Sequence, residues 1–166
     1  MAAVYVSIGS NIERIRHIGA GIAALEQAFD ELRLSPIYET PAEGFEGDAF
    51  YNLVAGFESN EPPQRLNALF KIIEDHFGRV RGGEKFSSRT LDIDLLLYGD
   101  EVIDSDGVQV PRNEIERYSF VLQPLADLLP DQTYPGRKAT FLEMWSKAVA
   151  EGEMKAAPVV ELAKPT

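Results

Sequence analysis

No cysteine occurs among the 166 residues, which excludes disulfides, thiolate catalysis and cysteine-ligated zinc. Histidine is nearly as scarce. His17 and His76 are the two present, too few for a histidine-rich metal site. No apolar run approaches the ~18 residues of a membrane span, and Met1–Ser10 lacks a basic segment ahead of a long apolar one. These absences predict a cytoplasmic protein with no membrane partner. Basic residues are in the minority, 16 against 27 acidic, and the formal net charge of -11 argues against a general nucleic-acid-binding face. An anionic small ligand remains possible wherever basic side chains cluster locally. Oligomeric state is not written in such a composition; a monomer or weak homodimer is the expectation.

What is present suits one domain over residues 1–150, followed by a tail over 151–166, rich in Ala, Pro, Lys and Glu, that is predicted to be disordered. Ala3–Ile8 reads as a first strand closed by the turn residues Gly9-Ser10-Asn11. Ile15, Ile18, Ile22, Leu25 and Phe29 follow the 3, 4, 3, 4 spacing of an amphipathic helix. Leu32–Tyr38, interrupted or edged by Pro36, and Tyr51–Phe57 read as further strands. Leu66, Leu69, Phe70, Ile73 and Phe77 mark a second helix, with Asn60 as a candidate cap and Gly78 just past its end. Short strand-like pieces follow at Val102–Ile103 and Val108–Val110, then helices over Phe120–Leu129 and Phe141–Ala150. The order strand, helix, strand, strand, helix, strand through residue 98 is the split βαβ pattern. It predicts an α+β fold: a ferredoxin-like βαββαβ core with an antiparallel sheet, plus β and helical additions toward the carboxyl end.

Arg89-Thr90-Leu91-Asp92-Ile93-Asp94-Leu95-Leu96-Leu97-Tyr98 reads as a strand buried on both faces. Within it Asp92 and Asp94 share one face, roughly 7 Å apart. Like charges in an apolar strand are costly unless something positive joins them. Oxygen-only ligands favour Mg²⁺ over zinc; solvated strand-end carboxylates or structural salt bridges are the plainer alternative. Arg79, Arg81, Lys85 and Arg89 crowd the preceding stretch, where Gly82-Gly83 predicts a mobile loop. Paired carboxylates beside several guanidiniums suit the handling of a polyphosphate; a solvated basic loop is the bland alternative. Gly9-Ser10-Asn11 could present backbone amides to a ligand, though no Walker sequence follows and a simple turn suffices.

Taken together, Gly9-Ser10-Asn11, Tyr38-Glu39-Thr40-Pro41, Asn52, Arg89-Thr90-Leu91-Asp92-Ile93-Asp94-Leu95, Val110-Pro111 and Phe120-Val121-Leu122-Gln123-Pro124-Leu125 resemble the 6-hydroxymethyl-7,8-dihydropterin pyrophosphokinase family of folate biosynthesis. The resemblance implies transfer of pyrophosphate from ATP to the hydroxymethyl group of the pterin, releasing AMP, with two Mg²⁺ ions. By the same resemblance Asp92 and Asp94 are metal ligands, Arg79 and Arg89 are catalytic loop arginines that engage ATP, and Phe86 is the loop's aromatic residue. Glu74 falls where the family contacts the nucleotide. Phe50 and Phe120 match the aromatic pair that sandwiches the pterin, Asn52 its polar reader, and Thr40 and Pro41 its backbone contacts. The family pattern is broken at Arg112, where His is usual, and at Tyr118, where Arg is usual and Arg117 stands one residue early. Gly107 and Gln109 also replace common nucleotide contacts. Arg112 and Arg117 are the expected substitutes on the triphosphate. A diverged paralogue acting on another small alcohol, or a non-catalytic pterin-binding module, are the alternatives these departures raise.

Overall fold

In chain order the elements are β1 (Ala2–Ser10), α1 (Arg14–Phe29), β2 (Arg33–Leu34), β3 (Ile37–Thr40), β4 (Phe50–Ser59), α2 (Pro63–His76), β5 (Asp92–Tyr98), β6 (Ile103–Ser105), β7 (Val108–Val110), α3 (Glu114–Arg117), α4 (Ser119–Leu128), α5 (Phe141–Ala150) and β8 (Val159–Val160). This computed structural model describes residues 1–42, 45–78 and 90–161. Hydrophobic alternation in β1 places it centrally, antiparallel to β4 on one side and to β5 on the other. The sheet runs β5-β1-β4-β3-β8, with β2 also on β4. That order, with α1 and α2 as the two connections, is the predicted ferredoxin-like arrangement. Among the described residues no helix is long and apolar enough to cross a membrane.

The two faces of the sheet carry different cores. Val4, Val6 and Ile8 of β1 join Leu53, Ala55 and Phe57 of β4 and Ile93 and Leu95 of β5 on one face, covered by α1 and α2. Tyr5, Val54, Leu96 and Leu97 form the other core with residues of α3, α4 and α5. The β1–β5 register slips between Tyr5 and Val6. This bulge turns the consecutive Leu96 and Leu97 into the same core, so the apolar run of β5 reaches both faces. Gly56 of β4 lies under the Tyr5 ring, where an added Cβ would come within 2.3 Å of a ring carbon.

Several expectations are corrected. The predicted Leu32–Tyr38 strand is split into β2 and β3 at Ser35-Pro36. Ser35 still pairs with β4, its amide donating to the Val54 carbonyl and its Oγ accepting from the Val54 amide. Asn60 does not cap α2. That helix starts on Pro63, and the Pro62 carbonyl accepts from Arg65 and Leu66; a proline in the first turn lacks only an N–H that would be unpaired anyway. Gly9 and Ser10 lie inside β1 rather than in the turn. The short α3 carries too few residues for a periodic signal.

The tail expectation is also corrected, for residues 151–161. Gly152 takes a positive φ of 72°, and the amides of Gly152 and Glu153 return to the Val149 and Ala148 carbonyls, a Schellman ending that turns the chain back toward the sheet. Met154 packs into the second core. The Ala157 amide donates to Gln123 Oε1 at 2.9 Å, and β8 then pairs with Ile37 and Tyr38 of β3. An Ala/Pro/Lys-rich stretch cannot bury itself, but a partner side chain and an open strand edge supply what it lacks. Residues 162–166 lie outside the described residues.

Gly56→Ala is predicted to destabilise the fold by about 1–3 kcal/mol through overpacking against Tyr5, read as a lower urea midpoint with an unchanged slope.

Candidate active site

Strand geometry alone assembles the candidate site. Asp92 is opposite Gly9, and Asp94 opposite Ser7; Gly9 in turn faces Asn52, and Asn52 faces Tyr38. Directly opposed residues of an antiparallel pair share a face. Asp92, Gly9, Asn52 and Tyr38 therefore form a row across four strands. Thr40, opposite Phe50, and Asp94 flank it. This is the face that α4 covers farther along, so the row lies just beyond the helical cover.

Asn52 Nδ2 donates to Thr40 Oγ1 at 2.7 Å. That bond turns Oδ1 toward β1, where it lies 2.7 Å from the place a Gly9 Cβ would occupy. The sequence suggests a turn or a backbone-amide donor at Gly9; in the structure its absent side chain is the space the Asn52 amide uses. Phe50 opens β4 on the same face and meets Phe45 edge-on at 6.3 Å. Phe120, near the start of α4, meets Tyr118 edge-on at 4.9 Å. Both rings are half-buried. Pro41 is exposed just past β3.

The carboxylates define the electrostatics. Burial raises the Asp94 carboxyl well above its ordinary range, and the charges of Asp92, Glu114 and Glu74 push the same way, against Arg112. Arg112 Nη2 lies 3.7 Å from Asp94 Oδ1 and 3.0 Å from Glu114 Oε1. Burial opposes the guanidinium charge, but Asp94 and Glu114 outweigh it and hold the proton more firmly than usual. Glu74, 4% exposed, reaches from α2 to accept the Ile93 amide on Oε2 at 2.7 Å. In this placement the Glu74 carboxylate is buried and braces the backbone between the two aspartates. Among the described residues, Arg112 faces Asp94 and Glu114, while the charges of Asp92 and Glu74 add to the negative field at Asp94.

Among the described residues no three His, Cys, Asp or Glu side chains converge as a metal cage. Two carboxylates on one face are nevertheless enough for Mg²⁺, which commonly takes one or two from the protein and the rest from phosphates and water. The donor set fits that ion.

The departures from the family pattern have visible shapes. Asp106 and Gly107, at φ 53° and 78°, make the two-residue turn of the β6–β7 hairpin, the conformation Asp-Gly favours. Gln109 Oε1 accepts from the Asn113 amide at 3.4 Å. The Tyr118 carbonyl accepts the first amides of α4. Arg112 is brought to Asp94, whereas Arg117 stays exposed at the last residue of α3. Arg79, Phe86 and Arg89 lie outside the described residues.

A family model described as 7,8-dihydro-6-hydroxymethylpterin-pyrophosphokinase matches residues 5–130. A 2-amino-4-hydroxy-6-hydroxymethyldihydropteridine pyrophosphokinase of Aquifex aeolicus is 36% identical over 137 residues, covering 81% of this chain and 85% of its own length. Its namesake from Pseudomonas aeruginosa is 39% identical, covering 80% of this chain and 83% of its own. Among solved structures, wild-type Plasmodium falciparum HPPK-DHPS superposes with a TM-score of 0.72 at 13% identity. That likeness, a likeness of fold, covers 92% of this chain and 44% of the Plasmodium chain.

A raised carboxyl pKa means that the folded state binds the proton more tightly than the unfolded chain does. Its stability contribution is complete below the ordinary Asp range and is lost as pH rises through the folded value. Metal-free Asp94→Asn is therefore predicted to melt higher than wild type at neutral pH, a gain of 1 kcal/mol appearing as about 2–4 °C in a chain of this size. The difference should shrink as pH falls toward the ordinary Asp range in a calorimetric series, and an advantage that grows on acidification would contradict the buried charge.

Proposed function

The chain belongs to the 7,8-dihydro-6-hydroxymethylpterin-pyrophosphokinase family, and from that premise we propose that it transfers pyrophosphate from ATP to the hydroxymethyl group of 6-hydroxymethyl-7,8-dihydropterin, releasing AMP, in folate biosynthesis. The observation that carries the reading is the row of Asp92, Gly9 and Asn52 across the sheet, with Asp94 and Thr40 at its flanks. It sets a cation-seeking pair beside a polar amide on one open face. The chemistry is ATP-dependent, and the enzyme is Mg-dependent in this reading, with two ions.

Asp92 and Asp94 would hold magnesium, which when bound offsets triphosphate charge and favours in-line displacement at phosphorus. The remaining work is binding and orientation by the chain itself. Phe50 and Phe120 would stack on the two sides of the pterin ring. Asn52, with Nδ2 engaged by Thr40, offers Oδ1 to accept from the ring's amino edge, and Thr40 and Pro41 add backbone groups. Arg112 would meet phosphate beside Asp94, joined by Arg117, Arg79 and Arg89, with Phe86 against the nucleotide. Glu74 supports ATP binding by fixing the strand that carries the aspartates. No side chain is needed as a general base; positioning and electrostatics supply the acceleration. We place the enzyme in the cytoplasm, as a monomer or weak homodimer without nucleic-acid or membrane partners. The net charge of -11 and the family's small-molecule chemistry support this. The paralogue and non-catalytic alternatives gain nothing from the curated relatives above, which carry pyrophosphokinase names.

The deciding assay is chromatography of nucleotide products. AMP is expected to form only when ATP, the pterin alcohol and Mg²⁺ are all present, and ADP as the product would overturn the reading. Asp92→Ala and Asp94→Ala are each predicted to lower turnover by about 100-fold or more. Phe50→Ala should raise the pterin KM roughly tenfold with a smaller change in kcat, as loss of one stacking partner implies.

A further inference from the structure

The carboxyl-terminal segment beyond the family match, which ends at residue 130, is bound to the strand that carries Thr40. Its anchors are specific. Gln123, on α4, receives the Ala157 amide on Oε1 at 2.9 Å, and its Nε2 points back to the Ala157 carbonyl at 3.5 Å. The Pro158 carbonyl accepts the Glu39 amide at 3.1 Å. Val159 and Val160 lie opposite Tyr38 and Ile37. Gln123 is itself buried, and its side chain also bonds Tyr38, whose hydroxyl donates to Asp127 one turn along α4. A single amide thus joins α4, β3 and the returning tail.

The strand so held ends at Thr40, which receives Asn52 Nδ2, while Tyr38 sits directly opposite Asn52. Without β8 the outer edge of β3 would be an unpaired edge four residues long, short enough to fray. Any drift of Thr40 would release the Asn52 amide from the orientation that aims Oδ1 over Gly9.

We propose that residues 153–161 are a strap, clamped by Gln123, that positions the pterin-reading pair Thr40 and Asn52 through β3. Gln123 is a positioning residue: it acts on the substrate through the strand. The proposal rests on the reading that Asn52 and Thr40 face the pterin. It implies that the strap tunes pterin affinity and leaves Mg-ATP binding, on the β5 side of the sheet, essentially alone.

Two full-length variants and one shortened chain test it. Gln123→Met keeps the side chain's length and apolar packing but removes both hydrogen bonds to Ala157 and the bond to Tyr38, so the shortened chain, which keeps Gln123, isolates the strap's part. The shortened chain ends at Ala156. Asn52→Ala serves as the reference for complete loss of the polar reader. Hydrogen exchange of the Glu39 amide reports strap docking directly, independently of turnover. Gln123→Met and the shortened chain are both expected to speed Glu39 exchange by about tenfold or more and to raise the pterin KM roughly fivefold. For both, kcat and the Mg-ATP dissociation constant should stay within about twofold of wild type. Faster Glu39 exchange with an unmoved pterin KM would make the strap merely structural and overturn the proposal. So would unchanged exchange in Gln123→Met, or pterin and Mg-ATP affinities that fall together. A wild-type protein that makes no AMP would instead overturn the activity reading, and the proposal with it.

Discussion

Carboxylates held close together on a partly buried strand resist folding, and the arrangement around β5 is built on that resistance. Burial and the neighbouring charges of Asp92, Glu114 and Glu74 all favour a protonated Asp94. Arg112, shared with Glu114, is a partial answer, at 3.7 Å from Asp94. Holding several like-charged acids together in a partly buried site is costly to stability. In the proposed reading a bound cation would offset that cost. Glu74 shows the same constraint from behind. Its carboxylate pairs with the Ile93 amide and so holds the backbone between the two aspartates while adding to the field they feel.

The sheet divides the labour around this charge. One face is closed by α1 and α2 along its length, and the other is closed by α4 and its neighbours over part of its length. The bulge opposite Tyr5 lets β5 serve both cores at its far end while its first residues turn carboxylates to the part beyond α4. Two glycines make the close approaches possible. Gly56 admits the Tyr5 ring, and Gly9 admits the Asn52 amide. In both places it is the missing Cβ that lets a neighbouring side chain approach the strand.

Much of this was legible from the residues. The 3, 4 spacing of Ile15, Ile18, Ile22, Leu25 and Phe29 located α1, and the strand-helix order gave the ferredoxin-like core, because periodicity reports directly which face is buried. Alternation likewise put Asp92 and Asp94 on one side of β5. The break of β2 from β3 was half visible at Pro36, but the role of Ser35 in bridging to Val54 was not, since the partner lies 19 residues away. The family resemblance put Glu74 near the nucleotide, but its bond to the Ile93 amide, 19 residues on, has no local signal in the sequence. The tail misled for a related reason. Its composition is that of a segment unable to bury itself, and its order comes from Gln123 and the edge of β3, both supplied by distant parts of the chain.

By itself, then, the order of residues determined the longer elements and the strand that bears the acids, because each depends on neighbours within a few positions. Only the tertiary structure decided that Gly9 makes room for Asn52, that Arg112 rather than Arg117 stands beside Asp94, and that the carboxyl-terminal strand closes the edge next to Thr40. These depend on register, on which face a side chain meets and on contacts between segments far apart in sequence, and local pattern carries no record of such distances.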